Sequence, residues 1–237
     1  MLGPILNAFG IIIGGLFGGR KSQGLNPQTQ SMLRVFLGAA TVYVGLKLTW
    51  NSLNGGFLSV LKQLGIVLVG MILGKQLGRI LHLQHFSNKL GHYAKKCIET
   101  QQSKKGANNG VFICSILFCV APLGVLGGLQ DGLNNYFWTL ALKAVLDGLA
   151  MMAFVQIFGS LSILAFLPVF VFEGFLSLLG RHLQPFLLEH DLLDSINATG
   201  GLLVFCVSLV ILELKKIEIT DYLPSLLTTP LLASLFK

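Results

Sequence analysis

Along the chain, long apolar runs alternate with short polar links. Runs over about 3–19, 33–50, 57–77, 110–129, 137–157, 161–180 and 196–213 each approach the roughly 20 apolar residues that cross a bilayer as a helix. Backbone amides in hydrocarbon must bond within their own segment, so helix is the expected conformation. A last apolar piece, Leu223 to Phe236, carries Pro224 and Pro230 and is short for a span. The pattern predicts an all-α integral membrane protein, a polytopic bundle of about 7–8 transmembrane helices in one domain over 1–237. The apolar N-terminus has no basic leader and no A-x-A-like site, so Met1 to Gly19 reads as a retained first span.

Two interruptions stand out. In the fourth span Pro122 removes an amide hydrogen, and Gly124, Gly127 and Gly128 leave room for a backbone or ligand to approach. A kinked or unwound helix 4 is expected there. Between spans 3 and 4, residues 75–105 are hydrophilic, with seven Lys and Arg (75, 79, 89, 95, 96, 104 and 105) against Glu99. Apolar residues recur near helical period through this segment, which predicts a basic amphipathic helix on the membrane surface against anionic lipid. Its place between two spans argues against a nucleic-acid partner. His82 and His85 are only a pair, too few for a metal site.

Composition agrees with the pattern. Of 237 residues 53% are hydrophobic and only 11% charged, where soluble domains carry about 25% charged residues. Mean hydropathy is +0.74. Of the four cysteines, Cys114, Cys119 and Cys206 lie in spans and Cys97 in the basic segment, with no metal or redox spacing. Charge then orients the bundle. The links after spans 1 and 3 and the segment with Lys215 and Lys216 are basic, whereas those after spans 2, 4 and 6 share only Arg181. The positive-inside rule places the N-terminus outside and 75–105 in the cytoplasm.

The candidate chemistry is the set of ionisable and polar groups inside the spans. Lys143 and Asp147 are four residues apart and share one helix face. Helical rise puts Asp147 and Glu173 roughly 16 and 18 Å into their spans, near the midplane of a roughly 30 Å core. Asn7 is the polar side chain of span 1, and Gln130 and Asp131 close span 4. Charges in hydrocarbon are costly and face protein or water, so these six residues mark an ion or substrate pathway. The alternative is a structural ion pair that holds helices together. Spans 1 and 2 are loosely echoed by spans 6 and 7, an offset that would make an inverted repeat of the transporter kind. Small-xxx-small pairs at 10/14, 14/18 and 15/19 allow close helix packing and a homo-oligomer.

The stretch LFCVAPLGVLGGLQDGL followed by LALKAVLDG resembles a bacterial inner-membrane family of unknown function, domain of unknown function 554, the YqgA type. The matching positions are Cys119, Pro122, Gly127, Gln130, Asp131, Gly132, Lys143, Asp147 and Gly148, with Gly3, Asn7, Gly14 and Leu223-Pro224 also fitting. The resemblance covers nearly the whole chain. It implies a polytopic protein of the bacterial cytoplasmic membrane, loosely regarded as a transporter, without an established substrate. Ala121 stands where the family usually has glycine, and the region after Gly74 is basic where acidic residues are expected.

No HExxH, GxSxG or paired His-Asp constellation sits in a span, so neither an enzyme nor a bound cofactor is expected. The functional expectation is a small transporter or channel for an ion or small solute. The alternative is a membrane scaffold or signalling partner that docks through 75–105.

Overall fold

The computed structural model describes residues 1–20, 26–101 and 107–236; Lys21, Lys104 and Lys105 of the basic links lie outside the described residues. In chain order the helices are α1 (Leu2–Arg20), α2 (Pro27–Asn51), α3 (Phe57–Ile80), α4 (Leu83–Gln101), α5 (Ala107–Val120) and α6 (Pro122–Asn134). After them come α7 (Trp138–Phe158), a 3-10 turn (Ser160–Ala165), α8 (Phe166–Glu189), α9 (Leu193–Ile211), α10 (Ile219–Tyr222) and α11 (Ser225–Leu235). Among the described residues six helical segments are long and apolar enough to cross a membrane, and α5 with α6 makes a seventh if the bent pair is one span. The protein is an all-α bundle with the lengths of a multi-pass membrane protein. An eighth crossing is not made by α11 alone, because 11 residues rise only about 16 Å.

Small residues set the packing. A Cβ on Gly10, Gly14 or Gly18 would run into the backbone of Ala144, Gly148 or Met152, so α1 and α7 lie parallel with their backbones in contact. Gly45 of α2 meets Gly201 and Phe205 of α9, and Gly38 meets Leu212, an antiparallel register. Gly70, Gly74 and Gly78 of α3 face Thr229, Ser225 and Asp221, so α10 and α11 run back along α3. Gly128 and Gly132 of α6 meet Leu176 and Ser177 of α8 in parallel. Lipid tails are as apolar as leucine, so close van der Waals approach of this kind is what holds such helices together.

The basic segment is not one helix. Residues 75–80 complete α3, and the chain turns at His82, whose φ is +53°. At this turn the Gln84 amide donates to Asp221 Oδ1 at 2.8 Å, and Arg79 lies 3.6 Å from Glu218. Lys75 sits 4.9 Å above the Tyr222 ring. The amphipathic helix is therefore α4 alone, with Phe86, Tyr93, Lys89 and Lys95 exposed. An uninterrupted helix from residue 75 onward is ruled out because Asp221 of α10 and Glu218 just before it sit at the α3–α4 corner, where they tie down the turn.

Candidate functional site

The fourth span breaks at Ala121, whose ψ of 125° is extended, and the axes of its halves differ by 63°. Pro122 then occupies the first turn of α6, where its missing amide hydrogen costs nothing. The break is the reason the chain can place the first turn of α6 against charged side chains. A Cβ on Gly124 would stand 3.2 Å from Lys143 Cε and 3.5 Å from Glu173 Oε1. Glycine here leaves room for these two side chains, which any larger residue would press upon.

Around Gly124 four side chains from three helices meet. Lys143 Nζ pairs with Asp147 Oδ2, its neighbour one turn on, and lies 3.2 Å from Glu173 Oε1 of α8. The Asn7 amide of α1 donates to the same two oxygens, at 3.1 Å to Asp147 Oδ2 and 2.7 Å to Glu173 Oε1. Two donors and two acceptors thus close a ring. All four residues are buried, Asn7 and Glu173 completely. The Lys143 ammonium also lies 5.8 Å from the centre of the Phe118 ring at the end of α5. Asn7 Oδ1 and Glu173 Oε2 are buried without a hydrogen-bond partner.

The cluster has two unlike sides. Four residues on from Asn7, Asp147 and Glu173 toward the C-terminus of α1 stand Ile11, Met151 and Val169, each fully buried. With Phe118 they belong to one apolar cluster that closes this side. On the other side the same helix faces carry Gly3, Thr139 and Ser177. The Gly3 amide donates to Asp131 Oδ1 at 3.0 Å, Ser177 donates to Asp131 Oδ2 at 2.7 Å, and the Met1 amino group is 2.7 Å from that oxygen. Thr139 donates to Gln130 Oε1, whereas the buried Gln130 Nε2 lacks a partner.

The six residues chosen from sequence therefore form two groups. Asn7, Lys143, Asp147 and Glu173 make one cluster. Asp131 holds the amino end of α1, where a carboxylate meets unpaired amides and the positive end of the helix dipole, and Gln130 bonds to Thr139. Asp131 and Gln130 form a polar layer a turn away and do not touch the charged ring. Sequence reading passed over Ser177 and Thr139, although each is four residues from a chosen residue, Glu173 or Lys143, and so shares its helix face. It also passed over a cavity of about 430 Å³ at the same end of the bundle, with Ser52, Ser59, Lys62, Gln63, Asp194 and Ser195 beside apolar residues such as Ile66 and Val67 in its lining. Its walls come from α3, α9, α11, the link after α2 and the turn before α9, so it is separate from the charged ring.

A family model described as "Protein of unknown function (DUF554)" matches residues 2–234. The uncharacterized membrane protein YdfK of Bacillus subtilis (strain 168) is 28% identical over 230 residues, covering 97% of this chain and 94% of the relative. The uncharacterized protein YqgA of Escherichia coli (strain K12) is 25% identical over 231 residues, covering 96% of this chain and 94% of the relative. No solved structure matches. With a family model running almost from end to end and full-length bacterial relatives on both counts, this multi-pass membrane protein belongs to the DUF554 family.

Proposed function

We propose that the protein is a small transporter for an ion or small solute in the bacterial cytoplasmic membrane, and not an enzyme, with Asn7, Lys143, Asp147 and Glu173 as its exchange site. One observation carries the reading: two carboxylates share one ammonium in a buried ring at the break of a helix. Charges inside a membrane are costly, and two carboxylates against one ammonium leave a negative charge for a passenger to answer. The buried polar layer on one side and the apolar plug on the other give the site one direction with groups that can relay a proton or solute and one without. An inverted repeat that pairs α1 with α8 and α2 with α9 belongs to the same reading, since alternating access uses such repeats.

The test is solute or ion flux in proteoliposomes, with a growth phenotype in parallel. Lys143→Ala/Asp147→Ala is expected to fold and to be inactive. A double variant that folds and keeps full activity would leave the cluster a packing device.

The orientation is part of the same reading: N-terminus outside, α4 at the cytoplasmic surface against anionic lipid. A cysteine at Lys89 is expected to resist an impermeant maleimide in intact cells and to react in inverted vesicles; the reverse pattern sinks the orientation. The docking reading draws on the same exposed face, where Phe86 and Tyr93 stand beside Lys89 and Lys95. That mixture of aromatic and basic side chains suits a lipid headgroup layer better than a protein partner.

A further inference from the structure

We propose that the ion this centre exchanges is a proton, carried on Oε2 of Glu173 while Lys143 and Asp147 stay charged. The proposal takes its purpose from the transporter reading, but its chemistry stands on the ring itself.

The charges come first. Among the described residues the ion pairs to Asp147 and Glu173 come from Lys143 alone. One negative charge is left over at a place shut off from water, and a buried carboxylate in that position takes up a proton or a cation. The geometry then selects the oxygen. Lys143 Nζ and Asn7 Nδ2 both spend themselves on Asp147 Oδ2 and Glu173 Oε1. Glu173 Oε2 receives nothing, and Asn7 Oδ1, an acceptor in the same cluster, is also unanswered. A hydrogen on Oε2 removes the surplus charge and turns the orphan acceptor into a donor.

A metal cation fits less well. It needs several oxygens around it, and the position between the two acids is held by the ammonium 3.2 Å from Glu173 Oε1. At such distances a second positive charge is strongly repelled in a low-dielectric interior. The ionisable groups facing Glu173 are few. From α7 come Lys143 and Asp147; α5 presents the Cys119 thiol, within electrostatic reach. From α1 and α6 it meets Asn7 and Gly124, neither ionisable. Asp131 is reached only through Ser177, one turn along α8.

The step balances simply. A hydronium arriving through the polar layer gives its proton to Oε2, forming an O–H bond and leaving water. That bond breaks again when the proton passes to water on the far side, which requires the plug of Ile11, Met151, Val169 and Phe118 to part. Nothing is oxidised or reduced.

Infrared difference spectroscopy of the purified protein in lipid, stepped between acidic and alkaline buffers, reads the site without any flux. The expected result is a protonated-carboxyl band that disappears reversibly as pH rises, in a one-proton titration. It shifts on ¹³C-glutamate labelling, is lost in Glu173→Gln, and is unmoved by sodium or potassium chloride at constant pH. If Glu173→Gln does not fold, the other four of the five glutamates decide: a band kept in each of Glu99→Gln, Glu189→Gln, Glu213→Gln and Glu218→Gln belongs to Glu173. A band that persists at every pH, or no glutamate band, overturns the proposal. A band abolished by sodium or potassium overturns it in favour of a metal cation. A titrating Glu173 with no flux of any solute keeps the proton site and removes the transporter; flux with a silent Glu173 does the opposite.

Discussion

Lys143→Met is expected to lower the stability of the protein by about 3–5 kcal/mol, the range for removing one partner of a buried ion pair. The structure gives a reason for the upper part of that range. Lys143 meets Asp147 and Glu173 from a position 1% exposed, so its loss strands the Asp147 carboxylate and takes a donor from Glu173 as well. Asn7 alone cannot compensate, since one amide nitrogen already serves both oxygens. Adding Asp147→Leu is expected to restore most of the loss, because the remaining Glu173 is neutral with a proton on it and the face of α7 becomes apolar. Glu173→Gln should be milder than Lys143→Met, for it leaves the Lys143–Asp147 pair intact. The measurement is the melting temperature and the monodisperse yield in detergent of the two single variants and the double. Equal damage from Lys143→Met and Glu173→Gln would refute the charge argument and leave only packing.

Gly14→Leu is expected to be at least as damaging, for a steric reason. A Cβ at Gly14 would already collide with the backbone of Gly148, and one at Gly148 would stand 2.7 Å from the Gly10 carbonyl oxygen. Overpacking that side chains can absorb costs about 1–3 kcal/mol. Here the obstacle is backbone, which cannot turn aside, so the loss should exceed that range as α1 parts from α7. The effect should reach the site, since Asn7 rides on α1 and its acids on α7 and α8. Gly65→Ala is the control, because nothing lies within 4 Å of its Cβ position, and alanine favours helix over glycine by roughly 1 kcal/mol. A melting temperature that falls for Gly14→Leu and holds or rises for Gly65→Ala is the expected pair. Equal tolerance at both positions would mean that α1 and α7 do not touch as described.

Sequence alone determined the class of fold and most of its helices, because the bilayer imposes a length and an apolar composition that can be counted along the chain. It located the break near Pro122, since a missing amide hydrogen is a local fact, and it paired Lys143 with Asp147, since four residues is one turn of the same helix. What needed the tertiary structure is everything that passes between helices. Asn7 and Glu173 are 166 residues apart and share a hydrogen bond only because the glycines of α1 let it press against α7 while α8 packs beside it. Asp131 looked like a member of the charged site by composition, but the register of α6 against α8 turns it to Ser177 and the amino end of α1. The corner at His82 likewise depends on Asp221, which reaches it from the far end of the chain. Periodicity records which residues share a face of one helix. Which faces meet, and at what height, follows from how closely two backbones can approach, and that is a property of the pair.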